Sequence, residues 1–330
     1  MKTLMVGRQG SVIRAVNGQF RVEYAGETLA DYPADLVEEI VILGGVSVTT
    51  PALRDLMARN GTLHLLTLGG QHLGAAGAGL RGQVALLRAQ VHVSDHPART
   101  LSLARQVVHG KLRNSRATLQ RYRRGQPTHV HTEAVDAHEQ MLLSLPTVRT
   151  LDELLGLEGA AARSYFQGFR MSLPAHWQDG PLGFKGRARR PSPDPVNALL
   201  SFGYALLRTH VLTDIIRTGL HPAIGVLHVE HGARPALALD LMEEHRAPLV
   251  DRLVVRLLNR RELLPVHFED RHGTPYLNTT GRGIFLAAFA ERVGQPVSAA
   301  GTYRDLIGKQ VRHYAEAIRN GTDYRPAFLK

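Results

Sequence analysis

The 330-residue chain contains no cysteine, which excludes disulfides, thiolate zinc sites and cysteine nucleophiles and leaves any bound metal to oxygen and imidazole ligands. It also lacks a run of the roughly 18 consecutive apolar residues needed to span a bilayer. The opening stretch MKTLMVGRQGSVIRAV has no continuous apolar core of the signal-peptide kind, so the expected setting is the cytoplasm, with no membrane partner. The patterns GxSxG, GxxxxGK(S/T) and HExxH are missing, and with them the serine-hydrolase elbow, the phosphate loop and the zinc-protease helix. No internal repeat is visible.

Acids are scarce relative to bases. The chain has 40 Lys and Arg against 29 Asp and Glu, a net charge of +11, and a field of that sign attracts phosphate backbones or anionic lipid heads. Not one acid lies between Asp95 and Glu133, yet Arg99, Arg105, Lys111, Arg113, Arg116, Arg121, Arg123 and Arg124 all do. A solvated helix face usually intersperses acids as i,i+4 partners. Their absence here leaves the repulsion among eight cations uncompensated and predicts a nucleic-acid-binding tract. Arg187, Arg189 and Arg190 form a second, mobile basic cluster in the Gly/Pro-rich loop GPLGFKGRARRPSPDPVN.

What is present reads as an ordinary globular chain, with 44% apolar and 21% charged residues, and the length suits two domains. From Met1 to about Leu80 the pattern is β-like, with QFRVEY, EEIVILGG and TLHLLTLGG as strand runs. One short helix interrupts them, with Thr50 as N-cap, Pro51 at its first position and Gly61 as the left-handed residue past its end. The segment Gly74–Gly82 reads as a weak last strand and a hinge. Beyond it the apolar period becomes helical, so the expectation is α+β: a β-rich domain over 1–80 followed by a mainly α-helical domain over 81–330.

Two segments could carry chemistry. In GLEGAAARSYFQGF, Glu158 opens an alanine-rich helix with Ala162, Tyr165 and Phe169 on its face, although the helix macrodipole alone favours a carboxylate in a first turn. In GVLHVEHGARPALALDLMEEHRAPLVDRLV, His228 follows an apolar approach, and Asp240 and Glu243 stand i,i+3 beside Leu237, Leu241 and Met242. Acids bordering a core stripe need compensation, from a metal or from Arg234, Arg246 or Arg252. His231 could pair with His228, but no further ligand motif supports zinc, and it stays unassigned. Carboxylates with one imidazole suit Mg²⁺ or Mn²⁺, the imidazole tilting preference to Mn²⁺. Such a site suits phosphoryl transfer on nucleic acid.

In this order and spacing the two segments resemble the CRISPR-associated integrase family, the "Cas one" proteins. FKGRARRPSPDPVNALLSFGYALL and the ending TYRDLIGKQVRHYAEAIRNGTDYRPAF extend the resemblance from about Leu154 to the carboxyl terminus; the amino-terminal third agrees in pattern more than in letters. The resemblance implies a small β-sandwich before a helical catalytic domain, and metal ligands at Glu158, His228 and Glu243 with Asp240 beside them. Some members have Asp where this chain has Glu243. It further implies a homodimer that joins a small partner, "Cas two", in a hetero-hexamer holding double-stranded DNA, and that inserts this DNA into a CRISPR repeat by 3′-hydroxyl transesterification. A plain metal-dependent nuclease for branched DNA and a non-catalytic DNA scaffold are the competing expectations.

Overall fold

The computed structural model describes residues 3–77, 84–125, 127–180, 182–188, 192–228, 235–298 and 301–329. Two four-stranded sheets build its amino-terminal part. One has the order β1 (Thr3–Val6), β5 (Glu39–Leu43), β7 (Thr62–Leu66), β8 (His72–Gly77), with β8 alone antiparallel to its neighbour. The other has the order β4 (Glu27–Pro33), β3 (Gln19–Tyr24), β2 (Val12–Val16), β6 (Ser47–Val48).

Strand β5 explains why EEIVILGG reads as an unbroken apolar run instead of an alternation, because both of its faces are covered. Ile40 and Ile42 point into the core between the sheets with Ile13, Phe20 and Val22, while Val41 and Leu43 belong to the core of the helices. The N-cap position of the short helix α1 (Thr50–Ala58) is Thr49, not Thr50, and its hydroxyl donates to the carbonyl of Ile13 instead of capping the helix. The left-handed residue after it is Asn60, φ 58°, not Gly61.

The helices are α2 (Val84–Ser94), α3 (Pro97–Gly125), α4 (His129–Ser144), α5 (Leu151–Met171), the single turn α6 (Ala175–Gln178), α7 (Pro195–Thr218), α8 (Ala236–His245), α9 (Arg252–Asn259), α10 (Thr279–Gly294) and α11 (Tyr303–Asn320). The sequence sets the ends of α7: Asp194 accepts the amide of Asn197 at 2.8 Å, Pro195 fills the first turn, and Gly219 at φ 86° stops it. This helix is apolar enough to span a membrane by composition, yet its apolar window is 83% buried. It is the axis of the core, and its Gly203 sits where a Cβ would fall 2.5 Å from Val250. The expected α+β class holds. Two small ribbons inside the helical part were not expected: β9 (Phe268–Arg271) with β10 (Thr274–Leu277), and β11 (Pro296–Ser298) with β12 (Gly301–Thr302).

Candidate active site

Helices α5 and α8 both pack on α3, and their carboxylates meet a lysine from it. Glu158 lies in the third turn of α5, whose first-turn acids are Asp152 and Glu153, so the macrodipole does not account for it. The Lys111 ammonium of α3 contacts Glu158 Oε1 and, at 2.7 Å, Glu243 Oε2 of α8. Lys111 was expected on a DNA-binding face; it sits instead at the centre of the candidate site.

His228 lies in the segment between α7 and α8, and two buried side chains shape the described part of it. Gln90 of α2 donates to the carbonyls of His221 and Ile224 and accepts the amide of His221, all within 2.9 Å. Asp240, fully buried, accepts the backbone amides of Val226 (2.6 Å), Leu227 (3.1 Å) and His228 (3.0 Å), and also the His228 ring Nδ1 at 2.6 Å. Gly225 makes this wrap possible, because a Cβ there would lie 2.7 Å from the carboxylate. With Nδ1–H committed to Asp240, the Nε2 lone pair is the free one, and it faces Glu243 Oε1 at 4.0 Å. Of Asp240 and Glu243, the first therefore holds the loop and the second faces the cluster.

Glu243 is 3% exposed. Burial alone would raise its pKa, but Arg246, then Lys111 and His228, bring it down to about 2. Arg246 pairs with Oε1 at 3.1 Å and stacks on the Tyr204 ring 4.8 Å away. Of the other arginines weighed for this role, Arg252 is grouped with Tyr122, Arg292 and Tyr303, and Arg234 lies outside the described residues. After α8 the chain makes a π-helical turn, Arg246–Asp251. Pro248 has no N–H to offer the carbonyl of Glu244, which instead accepts Asn114 Nδ2 of α3 at 2.8 Å. The turn swings Asp251 inward, where the hydroxyls of Tyr165 (2.8 Å) and Tyr204 (2.6 Å) donate to it. Burial outweighs those bonds and lifts its carboxyl to about 6. The apolar sequence around Asp251 gave no sign of this buried acid.

Glu244 points away from the cluster and is tied to the last described residues. It accepts the Tyr324 hydroxyl and the Ala327 amide, each at 2.7 Å. This strap crosses α3, where Asn114 bonds Ala327 and Leu329 and Arg113 lies 3.9 Å from the Phe328 ring.

The basic tract is less naked than its composition suggests, because partners arrive from distant segments. Arg99 pairs with Asp323, Arg105 donates to the carbonyl of Val148, and Arg116 pairs with Glu139. Among the described residues no acidic partner is recorded for Arg121, Arg123 or Arg124 at the end of α3, which keep the electrostatic character expected of the whole tract. Arg187 is anchored, not mobile: it donates to Asn197 Oδ1 (2.8 Å) and Ser201 Oγ (3.1 Å) and lines a 50 Å³ cavity with Glu243, Arg246 and Asp251. Arg189, Arg190 and His231 lie outside the described residues.

Two carboxylates and a ring nitrogen are a hard donor set that suits Mg²⁺ or Mn²⁺. Glu243 Oε2 supports the fit: it is buried, and its contact with Lys111 is ionic without being a well-directed hydrogen bond. The three side chains do not close into a ready-made cage among the described residues, since Glu158 reaches Glu243 through Lys111.

Two β-sheets carried on a helical unit, with a carboxylate–imidazole cluster in a basic chain, define a two-part α+β class of protein. The chain belongs to the CRISPR associated protein Cas1 family, whose profile matches residues 4–291. It is 40% identical over 317 residues to a CRISPR-associated endonuclease Cas1 of Thermus thermophilus, covering 96% of this chain and 95% of that one. A second such endonuclease, from Rhodospirillum rubrum, is 36% identical, with 89% and 87% covered. Among solved structures, a Cas1 protein from Thermotoga maritima superposes with a TM-score of 0.84 at 22% identity over 99% of this chain and all of that one. A casposase bound to its integration product gives 0.86 at 22% identity over all of this chain and 95% of that one. At such identities the two structures speak for the fold alone.

Proposed function

We propose that the protein is a divalent-metal-dependent DNA integrase that inserts short duplexes as new spacers into a CRISPR array. One observation carries this reading: Glu158 and Glu243, from helices far apart in sequence, converge on a single cation, while Asp240 turns the free ring nitrogen of His228 toward Glu243. Glu158, His228 and Glu243 would hold Mg²⁺ or Mn²⁺. When bound, that ion would neutralise charge on the phosphodiester and lower the pKa of the attacking hydroxyl. The DNA 3′-oxygen forms a new bond to phosphorus, the strand's own 3′-oxygen leaves, and the proton passes between the two hydroxyls, so bond number is conserved. Arg121, Arg123, Arg124, Arg189 and Arg190 would hold phosphates without reading sequence.

The family and its relatives support the wider setting. One similar fold belongs to a complex that joins Cas1 with Cas2, and another to a DNA-bound casposase. The reading therefore includes a cytoplasmic homodimer, built through the β-rich domain of residues 1–80, that assembles with Cas2 on protospacer DNA, with residues 81–330 as the catalytic domain. The test is a supercoiled plasmid carrying a CRISPR array, incubated with labelled duplex, Mn²⁺ and the Cas2 partner. Label joined at repeat borders is expected. Degradation without joined product would make the protein a nuclease of branched DNA, and binding without any metal-dependent product would make it a scaffold.

A further inference from the structure

The ligand set assigned under the proposed function leaves one side chain without a role, and it is the most central one. Lys111 places its ammonium against both Glu158 and Glu243, which is where a cation shared by those carboxylates has to lie. An ammonium and a divalent ion cannot bridge the same two oxygens at once. The second oxygen of Glu243 is already paired with Arg246, so adding an ion beside both bases would crowd four positive charges around three carboxylates, Asp240 included.

One of the two bases is built to stay. Arg246 is stacked on Tyr204 and fixed to a π-helical turn. Lys111 has a flexible four-carbon stem, and the carboxylates are its recorded ion-pair partners. Its backbone cannot yield, because Gly110 is pressed against Pro326 and Asn114 is bonded to Glu244 and Ala327. Only the ammonium can move, and a phosphate is the partner a compact, strongly hydrated cation takes.

We propose that Lys111 is the exchangeable cation of the site. It competes with the divalent ion for Glu158 and Glu243, and a DNA phosphate that captures its ammonium frees the carboxylates for the ion. Ion and DNA then bind cooperatively, and by linkage each strengthens the other by the same factor. A site of this kind stays poorly loaded until substrate arrives.

The experiment is a Mn²⁺ titration read by the paramagnetic resonance signal of the free ion, with full-length protein alone and with short duplex DNA, corrected for Mn²⁺ held by DNA. In wild type the duplex should tighten Mn²⁺ binding by roughly tenfold, within the usual range of such couplings. K111M should bind Mn²⁺ about tenfold more tightly without DNA and show little further gain with it, while K111R, which keeps the charge, should bind weakly without DNA. If K111M fails to fold by circular dichroism, K111Q takes its place. DNA-free Mn²⁺ affinity no higher than wild type, or an unchanged gain on adding duplex, overturns the role of Lys111. E243Q separates this from the reading beneath it. Loss of Mn²⁺ binding in E243Q together with wild-type behaviour in K111M sinks only the Lys111 inference, whereas wild-type Mn²⁺ binding in E243Q removes the metal assignment and the inference with it.

Discussion

Asp240→Asn is the most discriminating single change, because it keeps the volume of the side chain and alters only what its atoms offer. The native carboxylate accepts four hydrogen bonds, three from backbone amides and one from His228 Nδ1. The amide of Asn supplies one acceptor oxygen and one NH₂ donor. If the NH₂ faces the ring, Nδ1 must become an acceptor, the ring proton moves to Nε2, and the nitrogen aimed at Glu243 can no longer ligate. If the NH₂ faces Val226 and Leu227, two donors oppose it, and each buried amide left unpaired costs about 1–3 kcal/mol. Either outcome loosens the histidine, for which a loss of ~10–100-fold in metal affinity is usual. Single-turnover joining across a Mn²⁺ titration should therefore show D240N as a weak-affinity enzyme that high Mn²⁺ partly rescues. Hydrogen exchange should speed up at residues 226–228 while circular dichroism stays unchanged. Wild-type Mn²⁺ dependence together with undisturbed exchange would refute the claim that Asp240 orients the ligand.

Glu158→Ala, His228→Ala and Glu243→Ala should each abolish joining at any Mn²⁺ concentration while leaving DNA retention in gel shifts near wild type; joining by Glu243→Ala at the wild-type rate would show that the wrong acid was chosen. The triple change Arg121→Ala, Arg123→Ala, Arg124→Ala should lower the log–log salt slope of duplex binding by about 0.9 for each phosphate that is no longer neutralised, and an unchanged slope would make the end of α3 a solvated surface. His64 and His72 are hydrogen-bonded at 3.1 Å, and burial holds each near 4 instead of 6.5. Below pH 6.5 the unfolded chain takes up protons that the folded one refuses, so stability falls with pH until about 4. The slope is at most ~1.4 kcal/mol per pH unit for each ring, and less for the partly exposed His72. Asp251, raised to about 6, works in the opposite sense. His72→Gln should shrink the loss of thermal midpoint between pH 6.5 and 4.5, a shift that identical pH profiles would contradict. Light scattering should give twice the chain mass without DNA, and a monomer would contradict the dimer.

Periodicity revealed the sheet-then-helix division because β5 is apolar on both faces and α7 is apolar all round, signals that survive without any tertiary information. The ribbon β9–β10 was legible but overlooked. His272 and Gly273 both have positive φ, at 56° and 77°, as a two-residue hairpin turn requires. In the site, spacing placed Asp240 and Glu243 on one face and could not rank them, because their difference arises from a loop that folds back around one of the two. Lys111 was read with its arginine neighbours for a similar reason. Its partners are 47 residues away in Glu158 and farther still in Glu243, and no local pattern encodes a contact made by three helices. The acids that neutralise Arg99 and Arg116, Asp323 and Glu139, likewise lie outside the tract that seemed to lack them.

The strap over residues 324–329 also sets a timetable. Glu244 is bonded to Asn114, 130 residues upstream, and to Tyr324 and Ala327, 80 and 83 residues downstream. On a ribosome, the basic helix α3 emerges long before the segment that finishes holding α8. A nascent chain therefore completes α3 early, but the strap contacts that hold Glu244 of α8 form only once residues 324–327 have been synthesised and docked. Contacts that span 80 residues and more thus make the surroundings of α8 one of the later parts of the fold to be completed.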